Sequence, residues 1–130
     1  MDLNKLDLTK LSNEGIWYTL KHPVSNKELP MKIKIIGKDS DKFIKLSEDF
    51  RRSALEDMKA NKTAEQRLEA SKQYGDMLLA ACTVAWENVE LDGKKLECTQ
   101  DNVKMVYERF VWIKEQIDSA IADRANFIKP

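Results

Sequence analysis

Between Ile16 and Ile36 apolar residues tend to recur at every second position, and after Gly37 at every third or fourth. No one regular element satisfies both periods, so the chain divides into a β portion, residues 1–37, and a longer helical portion, residues 38–130. In the first, IWYTL at 16–20 and MKIKII at 31–36 are rich in β-branched and aromatic types, and MKIKI alternates apolar with cationic. They predict the two strands of a hairpin. Their connection, KHPVSNKELP, carries Pro23, Asn26 and Pro30, which end pairing and initiate turns, so it predicts a loop of about ten residues. An isolated two-stranded ribbon is marginal in water, and one face must therefore lie on the helices.

The helical portion opens at Asp39 and Ser40, either of which can accept the free amide hydrogens of a helix start. Phe43, Leu46, Phe50, Ala54 and Met58 then form one stripe predicted to be buried. Thr63 and Gln66 have the spacing of a capping box, which predicts a second helix from about Ala64 to Trp86 with Leu68, Leu78, Leu79, Cys82 and Trp86 inward. Its last third, MLLAACTVAW, is apolar almost all round and is read as the centre of the core. Asp92-Gly93, set among Val89, Leu91, Leu96 and Cys98, predicts a tight hairpin or simple turn near 89–98. Thr99 is placed as the N-cap of a helix through QDNVKMVYERF, and WIKEQIDSAIADRANF follows as either its kinked continuation or a separate helix. The predicted fold is α+β and mainly α: an N-terminal β-hairpin packed on a bundle of about four helices, in a single domain over residues 1–130.

Composition removes several function classes. Twenty-two basic and 22 acidic side chains cancel, so no cationic footprint for nucleic acid appears. Arg51, Arg52, Lys59 and Lys62 do cluster, but Glu48, Asp49, Glu56 and Asp57 lie among them and no aromatic platform for bases accompanies them. MDLNKLDLTKL carries neither a basic segment followed by an apolar one nor a run long enough to span a bilayer, which predicts a cytosolic protein that leaves membranes alone. Cys82 and Cys98 lack CxxC spacing and are read as reduced thiols. The single histidine, His22, precedes a proline in a turn, so no histidine pair is available for a metal and no triad base has an obvious partner. Asp92-Gly93 is not a calcium loop, because the position where an EF-hand needs a bidentate glutamate is Thr99. The scattered glycines form no phosphate cradle. The expectation is a non-enzymatic protein without metal or cofactor.

Trp86-Glu87-Asn88, Asp92-Gly93, Tyr107 to Phe110, Trp112-Ile113, Gln116-Ile117 and Ala122 to Phe127, the last including Asp123, Arg124 and Asn126, follow one another in a fixed order. With Trp17 in the first strand and MKIKIIG as the second, this order resembles the tail assembly chaperones of long-tailed bacteriophages and prophages over nearly the whole chain. Val111 stands where that family often has proline. The resemblance implies a protein of the bacterial host cytoplasm that coats the tape measure protein, recruits tail tube subunits and is absent from the mature virion. It also implies self-association along the tape measure. The alternative from another class is a structural minor tail protein, a completion or connector subunit retained in the virion. Helix-in-groove association suits the first reading.

The stretch ADRANFIKP places Phe127 and Ile128 close to the last residue. If it folds back, Phe127 fills a gap against Trp17 or Trp86 and Arg124 pairs with Asp118, Glu87 or Asp123; if it projects, Phe127 is an anchor for a partner. Helical spacing favours folding back, which places a partner groove near Trp112 and the outer faces of the last two helices.

Overall fold

The computed structural model describes residues 1–128. Its architecture is α+β and mainly α, with five α-helices among the described residues, a three-stranded antiparallel sheet and a two-residue-per-strand hairpin. A helical turn at Leu3–Leu6 leads into α1, Leu8–Glu14, whose start is capped by Asp7 accepting from the Lys10 amide at 3.1 Å. This short helix has no counterpart in the sequence reading.

Strand β1, Ile16–Lys21, pairs antiparallel with β2, Glu28–Ile35. The second strand begins three residues earlier than its alternation indicates, so the loop is shorter than ten residues. Pro30 is tolerated because the register shifts between Thr19 and Lys21, a bulge on the β2 side where proline need not donate. Leu20, Ile33 and Ile35 are fully buried, whereas Trp17, Lys21 and Lys32 face solvent.

Helix α2, Asp41–Lys59, starts at Ser40, whose hydroxyl accepts from the Phe43 amide at 3.2 Å and donates to the Gly37 carbonyl at 2.6 Å. Helix α3, Ala64–Ala81, starts with the reciprocal Thr63–Gln66 capping box. It does not reach Trp86. Cys82 caps it, and Thr83–Glu87 forms β3, which pairs with β2 and makes the predicted hairpin a three-stranded sheet with β2 in the middle. Two terms reverse the helix prediction here. Thr83, Val84 and Trp86 prefer a pleated, half-buried surface, and β2 offers a row of backbone groups that would otherwise lack partners.

Asp92 and Gly93 have φ of 54° and 76°, as a type I′ turn requires, and join β4, Glu90–Leu91, to β5, Lys94–Lys95. The last long helices are separate. Helix α4, Gln100–Arg109, begins at the Thr99 cap, and α5, Val111–Ala122, begins after Phe110 leaves the helical region at φ −111°, ψ 76°.

One face of the sheet, the end of α3, α4 and α5 enclose the core, which includes Leu20, Ile33, Ile35, Leu79, Cys82, Val103, Tyr107, Ile117, Ile121 and Phe127. Burying each large apolar group stabilises the fold by roughly 1.5–3 kcal/mol. Among the described residues no helix is long and apolar enough to cross a membrane.

Candidate functional site

Helix α2 is 19 residues, about 28 Å long, and strongly amphipathic, yet none of its residues is fully buried. It packs on α3 and, at its start, on α1, with Phe43 half-buried against the core; in α3 only Leu79 and Ala80, at the far end, are fully buried, with Leu78 half-buried beside them. The two helices form an arm joined to the body through α3, which also packs on α4 and α5, and part of the arm's apolar surface stays exposed. Their seam is fixed by Phe50 stacked on Tyr74, ring centroids 3.9 Å apart and 12° from parallel. Ala60 to Thr63 join them, with Asn61 at φ 54° and Lys62 paired to Asp57 at 2.9 Å.

Beside that stack runs a groove of about 370 Å³, lined by Leu46, Phe50, Ala70, Tyr74 and Met77, with Asp49, Ser53, Asp57 and Gln73 at its rim. On other faces of the same helices Leu68 is 73% exposed, Met58 61% and Leu55 57%; none of the three lines the groove. The sequence reading put Leu68 and Met58 in the core. Periodicity identifies an apolar stripe without saying whether the surface that meets it belongs to the same chain. The Tyr74 hydroxyl is buried with no hydrogen-bond partner among the described residues, and Asp76, one turn from the groove, pairs with Lys114 of α5, tying the root of the arm to the body.

The motif residues of the second half occupy another place, and most serve the fold. Trp86 donates from Nε1 to the Leu96 carbonyl at 2.7 Å, fastening the β4–β5 hairpin. Asn88, at φ 60°, donates to the Pro30 carbonyl at 2.9 Å and so satisfies the bulge of β2. Tyr107 is fully buried, its hydroxyl 2.6 Å from that of Thr83, and burial raises its pKa well above the phenolic range. Phe110 lies under the Arg109 guanidinium, and Ile113 and Ile117 are buried. Asp123 accepts from the Ala125 amide, and Asn126 donates to the Ala120 carbonyl at 3.0 Å.

Residues 124–127 fold back, although to other partners than predicted. Arg124 makes a two-pronged contact with Asp39, Nε to Oδ2 at 2.8 Å and Nη2 to Oδ1 at 2.9 Å, rather than with Asp118, Glu87 or Asp123. Phe127 is 2% exposed and sits against Gly37, not against Trp17 or Trp86. Trp17 stands on the outer face of the sheet. Trp112 and Gln116 line a cleft of about 530 Å³ with Tyr18, Lys21, Glu115, Ser119 and Asp123, a surface more polar than the groove on the arm.

No group of three His, Cys, Asp or Glu among the described residues is placed to hold a metal ion. Both cysteines are free; burial pushes the Cys82 thiol up to about 11 and raises that of Cys98, so both are protonated near neutral pH. The His22 ring accepts from the Val24 and Ser25 amides at 3.1 and 3.2 Å, which makes it a turn residue. Comparison of the chain with protein-family models, with curated proteins and with solved structures returned no match.

Proposed function

We propose that this protein is a tail assembly chaperone of a phage or prophage, a non-enzymatic protein of the host cytoplasm that binds the tape measure protein, recruits tail tube subunits and leaves before the virion is complete. The observation that carries this reading is the α2–α3 arm, an amphipathic helix pair with an apolar groove between Leu46, Phe50, Ala70, Tyr74 and Met77 and with Leu55, Met58 and Leu68 exposed on its other faces. Such a groove suits an amphipathic helix laid along it, with apolar groups entering at every third or fourth residue. A long helical protein that aggregates alone offers many such segments. The balanced charge of α2, in which Lys45, Arg51 and Arg52 alternate with Glu48, Asp49 and Glu56, imposes no strong sign on the incoming helix, as suits a contact repeated along a partner and later displaced. The resemblance of the ordered motif from Trp86 to Phe127 supports the same reading.

Co-expression with the tape measure protein of the source genome tests it. The expected result is a soluble complex of fixed stoichiometry, with the tape measure insoluble when expressed alone. If the tape measure stays insoluble and mass spectrometry finds this chain in purified particles at fixed copy number, the protein is a structural subunit and the proposal fails.

A further inference from the structure

The connection between β1 and β2 is capped by a histidine. In HPVSN, residues 22–26, the His22 carbonyl accepts from the Asn26 amide at 3.0 Å and closes a single helical turn. Pro23 fills the first position of that turn, where no amide hydrogen is needed. The next two amides, of Val24 and Ser25, have no partner within such a turn, and both donate to His22 Nδ1, at 3.1 and 3.2 Å. Asn26 leaves the turn at φ 61°. The other side-chain caps at helix starts among the described residues come from Asp2, Asp7, Ser40, Thr63, Thr99 and Asp123, the residue types that capping chemistry favours. Only at His22 is the acceptor a ring nitrogen, whose lone pair a proton can take between about pH 5 and 8. A protonated ring has no acceptor at Nδ1, and it sets a positive charge and an N–H against two amide hydrogens.

The surroundings confine the effect to the turn. His22 is held on one side by its own amide, which donates to the Lys27 carbonyl at 2.8 Å. Lys21 is clamped by Gln116: the Lys21 amide donates to Gln116 Oε1 at 2.9 Å, and Gln116 Nε2 donates to the Lys21 carbonyl at 2.7 Å. The charged groups of the hairpin end are Lys21, Lys27 and Glu28, and Glu115 of α5 and Asp123 just beyond it line the cleft that Lys21 and Pro23 also line. None of them forms an ion pair with the ring among the described residues, and of these side-chain types only imidazole ordinarily changes charge in that range. We infer that the β1–β2 connection is a proton-operated turn, closed around the neutral His22 ring and released at residues 23–26 when Nδ1 takes a proton from solvent. Pro23 shares the wall of the cleft of about 530 Å³ with Trp112, so release of the turn also reshapes that cleft.

The test is nitrogen-15 NMR on the full chain from about pH 8 to about pH 5, and it depends on nothing that the arm binds. In the parent, the Val24 and Ser25 amide resonances are expected to move with the same midpoint as the His22 ring protons. Over the same range the heteronuclear NOEs of residues 24–26 are expected to fall from ordered to flexible values. The closed-to-open ratio is expected to drop at least about five-fold, the usual effect of losing one side-chain cap. His22→Asn supplies an acceptor that does not titrate, and is expected to keep the turn ordered throughout. His22→Ala is expected to show, at the alkaline end, the mobility that the parent reaches only in acid. The Trp112 indole resonance is expected to follow the His22 midpoint in the parent and to stay in place in His22→Asn. Residues 24–26 that remain ordered through the whole titration of the ring overturn the inference. So does His22→Asn losing order at the same pH as the parent, and a Trp112 resonance indifferent to the His22 proton overturns its extension to the cleft.

Discussion

The Phe127 ring occupies the space over Gly37 that any other side chain would need: a Cβ at residue 37 would lie 2.9 Å from Phe127 Cε2 and 2.8 Å from the Ser12 hydroxyl. Residues 12, 37 and 127 come from three distant parts of the chain and close one corner of the core. Overpacking of this kind costs about 1–3 kcal/mol, and removing a buried phenylalanine about 3–5 kcal/mol. Gly37→Ala and Phe127→Ala are therefore expected to lower stability by those amounts in urea denaturation. In a Phe127→Leu background Gly37→Ala is expected to cost less, a coupling that independent sites would not show.

Arg124 holds Asp39 in its charged form. The hydrogen bonds from its guanidinium, above all, keep the Asp39 carboxyl below its ordinary pKa, against the opposing effect of burial. A carboxyl depressed in the folded state stabilises the fold above its unfolded pKa, about 3.9, and loses that contribution as pH falls through the lower folded value. The Arg124 side chain is more than half exposed, so the pair is also screened by salt. The melting temperatures of the parent and Arg124→Ala are expected to differ at neutral pH and low salt and to converge as acid protonates Asp39. A difference that persists unchanged in acid would assign the effect of Arg124 to packing.

Gln116 acts as a one-residue strand. Gln116→Ala removes two hydrogen bonds worth about 0.5–1.5 kcal/mol each, less whatever water restores at this exposed edge. Hydrogen exchange at the Lys21 amide is expected to be slow in the parent and fast in the variant. Gln116→Glu is expected to do worse than its similar shape suggests, because a carboxylate accepts from the Lys21 amide but meets the Lys21 carbonyl oxygen without a proton to donate.

Sequence and structure agree where a local rule sets the geometry. Ser40, Thr63 and Thr99 cap helices as their side-chain chemistry dictates, and Asp92-Gly93 turns because both residues must take positive φ. They part where a distant partner decides. Thr83–Glu87 looks helical within MLLAACTVAW, and only the unpaired edge of β2, some fifty residues earlier, draws it into the sheet. Arg124 had three plausible carboxylates nearby in the reading and found a fourth, Asp39, which the fold brings alongside. The stripe on α2 was legible as apolar, but not how far it is covered: Phe43, Leu46, Phe50 and Ala54 are half-buried, Phe50 by Tyr74 of α3, while Met58 is left mostly in solvent because the pattern of one helix does not say how far its neighbour reaches. Gln116 was legible only as part of a motif. Its bond to an edge strand belongs to tertiary structure.

The central claim is that the groove between α2 and α3 receives helices of the tape measure protein, and the most direct measurement is affinity capture of that protein by the parent and by a Ser53→Glu, Met77→Glu variant. Both side chains line the groove and are exposed in the free chain, so the variant is expected to keep the parent's circular dichroism and melting temperature. The account predicts that it captures no tape measure protein while the parent does. Capture undiminished in the folded variant would contradict the account and move the binding surface off the arm.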